Sequence, residues 1–365
     1  MKKFMKIILI VLGSLVGFVV MALLLFYLLI NWIWRSDSEK RENSNREDVT
    51  LNYSRDSVHS YYRGEVIAGC DPKSLEVLSE NYVRDADSVF YCDKETTMTN
   101  LFPPLFKTTV SVFVIEGADR NSFLSLGYGY AKDKREGYMK GVAFSVGDVA
   151  SFTVINYYFT KDDKRAYFNA KPVNGSDGKT FVLLDSSVQG YAKDARYGYF
   201  FYTSEVKRIY CDPMTFEKVG DSHARDRYAT YYLESKIKGA NPTSFEEINS
   251  SYSRDDKAVY FEELKIEGVD LATFRVHEGN AKLNQNGYYS IDKSNVFWRE
   301  RKIAGADVGT FEVLERGEYS KDKNEVYWNG VKIEGADASS FVTRSDSYIG
   351  RDKNHEYEEG KVRRE

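Results

Sequence analysis

The chain reads as all-β: about ten tandem copies of a unit near 30 residues, behind one N-terminal apolar helix. Three observations predict this. A basic residue followed by Asp recurs, at Arg55-Asp56, Arg84-Asp85, Lys132-Asp133, Lys161-Asp162, Lys193-Asp194, Arg225-Asp226, Arg254-Asp255, Lys321-Asp322 and Arg351-Asp352, with Ile291-Asp292 the one departure. Five residues after the Asp stands an aromatic ring in every copy: Tyr61, Phe90, Tyr138, Tyr167, Tyr199, Tyr231, Tyr260, Phe297, Tyr327 and Tyr357. The run from Ile7 to Ile33 is almost wholly apolar. A fixed period of this length is the signature of a repeat array.

The N-terminal run comes first. About 20 apolar residues cross a bilayer as a helix, so residues 7–33 suffice with some tilt. Tyr27, Trp32 and Trp34 fit an interfacial belt. The run is longer than the apolar core of a cleaved signal peptide and has no small-residue cleavage site. Residues 1–34 are therefore expected to be an uncleaved signal anchor, 35–50 a polar linker, and 51–365 the repeat domain. Lys2, Lys3 and Lys6 precede the helix, while Arg35, Lys40, Arg41 and Arg46 follow it among acidic residues. The basic start is that of an export signal, which puts the repeats outside the cytoplasm, on the far side of the membrane that the helix spans.

Within a copy, the ninth is cleanest. Tyr319-Ser-Lys-Asp322 reads as a strand, Lys323-Asn324 as a tight turn, and Val326-Tyr327-Trp328 as the returning strand. Asn329-Gly330 is a second hairpin turn. The Lys/Arg-Asp pairs lie next to each other along the chain and read as solvated edges and turns. Losing the turn bond of Asp322 would then cost about 1 kcal/mol. Aromatic side chains make up 15% of the chain. The positions three before and six after the Asp are aromatic in eight copies each, so most rings read as stacked core and cross-strand ladders. An aromatic groove for a sugar or a peptide is the functional alternative.

A second motif joins the copies: Asp or Asn, two residues, Ser or Thr, then usually Phe, as in Asp307…Thr310-Phe311 and Asp337…Ser340-Phe341. Asp or Asn caps a short turn by accepting amides of the next residues. Pro72, Pro213 and Pro242 follow the cap, where a missing N–H costs nothing. A single helical or 3₁₀ turn is expected there, and the Phe then begins the next strand, as in Phe311-Glu-Val313-Leu314. The Asp-to-Asp spacings are 29, 48, 29, 32, 32, 29, 37, 30 and 30. The 48 marks an insertion around 96–113, with Pro103-Pro104 inside it, and the 37 a smaller one around 280–287. Insertions in repeat proteins map to loops, often on the binding face. The copies form either a solenoid-like or a propeller-like array. An open twisted stack is favoured, because the unit looks short for four strands.

Lys321-Asp322-Lys323-Asn324…Val326-Tyr327-Trp328 and Arg351-Asp352-Lys353-Asn354 resemble the bacterial DKNYY repeat family over about residues 50–365. Other copies depart from the literal string, as at Ala86-Asp87 and Ala195-Arg196. The resemblance implies the repeat unit and a bacterial source, so the expected membrane is the bacterial inner membrane; it carries no activity onto any residue.

Chemistry is sparse. Gly220-Asp221-Ser222-His223 is similar to the nucleophile block of some esterases, but His223 occupies the aromatic slot three before Asp226 and no second block supports it. His59, His223, His277 and His355 stand singly, without metal-ligand spacing. Asp322-x-Asn324 lacks the longer ligand series of a calcium loop, and Gly127-Tyr-Gly129 lacks the context of a phosphate cradle. No catalytic, cofactor-binding or metal-binding residue is expected, and the binding residues are open. Cys70, Cys92 and Cys211 form no disulfide framework, although a Cys70–Cys92 bridge between the first two copies is one alternative. The part after the helix has 48 basic against 55 acidic residues, well mixed, which disfavours a nucleic-acid partner. The sequence thus points to a membrane-anchored scaffold that binds a protein or an envelope polymer. The alternatives are an enzyme with a loop-built site and a purely structural spacer.

Overall fold

The computed structural model describes residues 23, 26–27, 29–30, 46–98, 106–185, 188–277, 288–314, 318–343 and 348–363. They contain ten four-stranded antiparallel sheets, each with its strands in sequence order. The chain divides into two compact units, residues 1–157 and 158–365.

The ninth copy shows why these residues make four strands. Glu312–Val313 pairs with Tyr319–Lys321, that strand with Val326–Trp328, and the last with Val331–Lys332. The inner two strands carry the β-branched and aromatic residues and are mostly buried, whereas Val331–Lys332 is exposed. Four strands fit in about 30 residues because the outer two are only two residues long. The expectation that the unit is short for a four-stranded sheet is corrected on this point, while the strand expected to begin at Phe311 is the first of the four, Glu312–Val313.

Asn329 and Gly330 both take positive φ, 48° and 74°. This is the two-residue turn whose twist matches that of the flanking strands. A Cβ on Gly330 would lie 2.5 Å from Cβ of Trp298 in the preceding copy. The glycine is therefore also where one hairpin rests on its neighbour. The cap motif makes one hydrogen-bonded turn, with Thr310 N donating to Asp307 O at 3.2 Å.

Among the described residues the core is a series of small, largely aromatic clusters, each drawing side chains from neighbouring copies. Around copy nine, Tyr319 packs edge-on against Trp328 with centroids 4.5 Å apart, and Phe341 touches both Tyr319 and Tyr357. The slot three before the Asp also ties copies together: the Tyr82 hydroxyl donates to Gly129 O at 2.7 Å, and that of Tyr252 to Tyr288 O at 2.9 Å.

Most of the expected membrane anchor, residues 7–33, lies outside the described residues. Leu23, Phe26, Tyr27, Leu29 and Ile30 are described; they are helical and exposed. Among the described residues no helix is long and apolar enough to cross a membrane. Pro103-Pro104 and residues 280–287 lie outside the described residues as well.

The insertion at 96–113 is not a loop where it is described. It extends the third and fourth strands of copy two into a ribbon, Val89–Met98 paired with Phe106–Val114 from Phe90↔Val114 to Met98↔Phe106. Thr, Val and Phe suit extended backbone, and no turn residue interrupts either side.

Candidate functional site

The recurring polar residues are absorbed by the framework. Asp322 Oδ1 accepts the amides of Asn324 (2.7 Å) and Glu325 (2.9 Å), which closes its turn. Its Oδ2 accepts the Asp307 amide of the linking motif at 2.8 Å and the Tyr327 hydroxyl at 3.0 Å. Burial by itself would raise the Asp322 pKa. The three amides and the hydroxyl outweigh it and hold the carboxyl below its usual range. Burial, followed by the bond to Asp322, pushes the Tyr327 phenol up.

The Tyr–Asp bond recurs in every copy with Tyr at this position, between 2.6 and 3.0 Å. Where Phe297 stands instead, the Asn295 amide group donates to both oxygens of Asp292 at 3.0 Å. The Asp is buried in nine copies. The expectation of solvated edge charges is therefore corrected: each carboxylate is the hub of its copy, paired with amide and hydroxyl donors.

The basic residue before it spans to the next linking turn. Lys321 Nζ donates to Ala338 O (3.3 Å) and Phe341 O (3.1 Å), and Lys193 Nζ to Phe216 O at 2.9 Å. In the linking motif, the Thr310 hydroxyl donates to Asp307 and accepts the Lys323 amide.

Ser222 and His223 are brought into the same scaffold. His223 is fully buried in its aromatic slot, with Nδ1 2.6 Å from Glu247 Oε2. Glu247 also accepts the amides of Asp221 and Ser222. Burial alone would raise Glu247; the His223 bond and the two amides instead hold it below its usual range. Ser222 is buried, and its carbonyl takes the Tyr191 hydroxyl at 2.7 Å. Gly220 matters here, since a Cβ would sit 2.1 Å from the Glu247 carboxyl carbon. The group closes a turn, with Glu247 accepting two amides and His223.

No group of three or more His, Cys, Asp or Glu suited to a metal occurs among the described residues. Cys70 and Cys92 are free thiols in one buried cluster with Tyr53 and Tyr62. Burial raises both thiols, Cys70 to about 11 and Cys92 to about 12.

Two features remain for recognition. The first, in residues 158–365, is a groove of about 540 Å³ lined by Lys193, Met214, Thr215, Arg225, Arg227 and Thr243. Met214 lies exposed on its rim, and Tyr210 and Tyr228 are exposed in the same two copies. Arg208 lies over the rings of Tyr197 and Tyr210, at 4.6 and 4.9 Å, and donates to the Tyr210 hydroxyl at 2.6 Å. Stacked Arg and Tyr on a polar surface suit a hydroxyl-rich polymer or an extended peptide. The second feature, in residues 1–157, is the ribbon, whose far part from Lys94 to Met98 and from Phe106 to Thr109 is exposed. The sequence reading took this insertion for a loop and missed its strand character. The alternation in Phe106-Lys-Thr-Thr-Val-Ser-Val-Phe-Val114 was the available signal.

Ten copies of one small sheet, stitched by the same carboxylate, define a tandem-repeat protein. The chain belongs to the DKNYY family, whose model matches residues 31–94, 106–234, 146–301 and 223–361. No curated protein matches it. No solved structure matches it.

Proposed function

We propose that the protein is a membrane-anchored, extracytoplasmic scaffold that binds a protein or an envelope polymer. The observation that carries this reading is the division of labour among its polar groups. The repeat Asp, its basic neighbour and the Ser/Thr of the linking motif engage in hydrogen bonds within and between copies, as at Asp322, Lys321 and Thr310. The surface left over is aromatic and basic at Tyr197, Arg208, Tyr210 and Tyr228, or extended backbone at the ribbon. Such a surface suits binding: aromatic faces take up apolar and hydroxyl-bearing groups, and exposed strand backbone offers amides and carbonyls. The apolar run at 7–33 supports the anchor, as do the exposed helical Leu23, Phe26 and Tyr27.

Two measurements test it. A periplasm-active reporter fused after Asp48 is expected to be active, and a cytoplasm-active one at the same point silent; the reverse result overturns the topology. The full chain in detergent is expected to co-sediment with purified envelope polymer, or to cross-link to one envelope protein. Either interaction should weaken at least tenfold in a Tyr210→Ser/Tyr228→Ser double variant. No interaction of either kind would leave the spacer reading. A hydrolase activity lost in His223→Ala would favour the enzyme.

A further inference from the structure

We propose that the ribbon strand Phe106–Val114 is a homodimer interface, on which a second copy of this chain adds the same strand antiparallel about a two-fold axis at Val110. This goes beyond the scaffold reading and does not depend on the membrane topology.

The first observation is length. The last strand of a sheet presents a row of unpaired amides and carbonyls, and proteins blunt such edges by keeping them short or breaking them with proline. This chain does so elsewhere. The corresponding last strands are Glu65–Val66, Lys171–Pro172, Leu264–Lys265, Arg301–Lys302, Val331–Lys332 and Lys361–Val362 at two residues each, and the others have three or four. Only Phe106–Val114 runs to nine residues, with no proline and a single charge, Lys107.

The second observation is the direction of its backbone groups. Ile115 N donates to Val89 O at 2.8 Å, whereas Cys92 N turns the other way to Asn81 O. Bonding alternates along an antiparallel ladder. The odd-numbered residues of Phe106–Val114 therefore bond inward to Val89–Met98. The amides and carbonyls of Phe106, Thr108, Val110, Val112 and Val114 point away from the sheet. Among the described residues none of these groups has a hydrogen-bond partner.

The third observation is self-complementarity. With Val110 on the axis, Phe106 faces Val114, Thr108 faces Val112 and Val110 faces itself. All of these are outward-bonding residues, so the pairing satisfies the whole row with about ten hydrogen bonds. An axis at Thr109 or Ser111 also sets outward-bonding residues opposite one another, but leaves Val114 or Phe106, respectively, without a partner on the strand and so forms about eight hydrogen bonds in place of about ten. The intervening pairs are Lys107 with Phe113 and Thr109 with Ser111. The two lysines stand about 20 Å apart at opposite ends, so the only charge on the strand does not oppose itself. A closed isologous pair also retires an edge that would otherwise recruit further strands.

The test uses the full chain in detergent micelles. Light scattering is expected to give a dimer. Thr108→Pro removes one outward amide and adds a ring on the outer edge while leaving the inward ladder intact. It is expected to abolish the dimer and leave the β-sheet circular dichroism unchanged. Val110→Cys, oxidised with a copper catalyst, is expected to form a covalent dimer that wild type does not form. Lys107→Cys alone should give none, and a mixture of Thr109→Cys with Ser111→Cys chains should cross-link. A wild-type monomer, a dimer that survives Thr108→Pro, or Lys107→Cys cross-linking as well as Val110→Cys would each overturn the proposal. The cysteine series decides the matter even if the proline variant misfolds.

Discussion

Copies nine and two share one ladder and end differently. In copy nine Tyr319 pairs with Trp328 and Lys321 with Val326; in copy two Tyr82 pairs with Tyr91 and Arg84 with Val89, the same register. After the third strand, copy nine turns at once through Asn329-Gly330 at positive φ. Copy two has Cys92-Asp93 at these positions, and the backbone stays extended to Met98. Two residues thus decide between a two-residue edge and a nine-residue one. The hubs differ too. Asp322 accepts the Tyr327 hydroxyl, whereas Asp85 faces Phe90 and keeps its amide bonds from Asp71, Asp87 and Ser88. The repeat tolerates loss of one donor from the hub but keeps the carboxylate itself, because the turn and the link to the next copy both end on it.

The largest way to disturb this comparison is pH, since it acts on many copies together. Asp133, Asp292, Asp322 and Asp352 are buried carboxylates held below their usual range by donated hydrogen bonds. A carboxylate whose pKa is depressed by folding stabilises the fold above its unfolded pKa, near 4, and that stability is lost as pH falls through the folded value. Melting temperature should hold from neutral pH to about 5 and then fall steeply. Tyrosines have the opposite sign. Tyr327 and Tyr357 are raised, Tyr357 to about 12. Their contribution is complete below the ordinary phenol value near 10 and is lost as pH rises through the folded value. A melting temperature flat from pH 7 to 3 would break the hub account.

Single truncations come next. Tyr327 is fully buried, and Tyr327→Ala should cost about 4 kcal/mol in denaturant melts. Asp322→Ala should cost about 3 kcal/mol, because three amides and a buried hydroxyl lose their acceptor. That is well above the single turn bond expected from the sequence. A loss of only about 1 kcal/mol would return Asp322 to a simple turn residue.

The smallest effect is the sharpest comparison. Tyr327→Phe should cost about 1.5 kcal/mol, and Phe90→Tyr should recover a similar or smaller amount by giving Asp85 the missing donor. If both changes destabilise equally, the Tyr–Asp bond is incidental to the copies that have it.

The sequence by itself determined the period, the second and third strands, the cap turn and the family. These depend on residues close in the chain: an Asp bonds amides two and three residues on, and alternation sets which rings face inward. The first strand, Glu312–Val313, was also legible from Phe311 onward, but the last was not, because the two residues Val331–Lys332 carry no periodic signal. Nor was the burial of the carboxylates, because a charge on a turn looks solvated until the next copy's linking amide closes over it. Only the tertiary structure decided that Lys193 and Lys321 bond carbonyls some 20 residues ahead. It also placed Glu247, 24 residues away, against His223, and drew the 96–113 insertion out as a ribbon. Each of these depends on one copy packing on another, which local propensity does not encode.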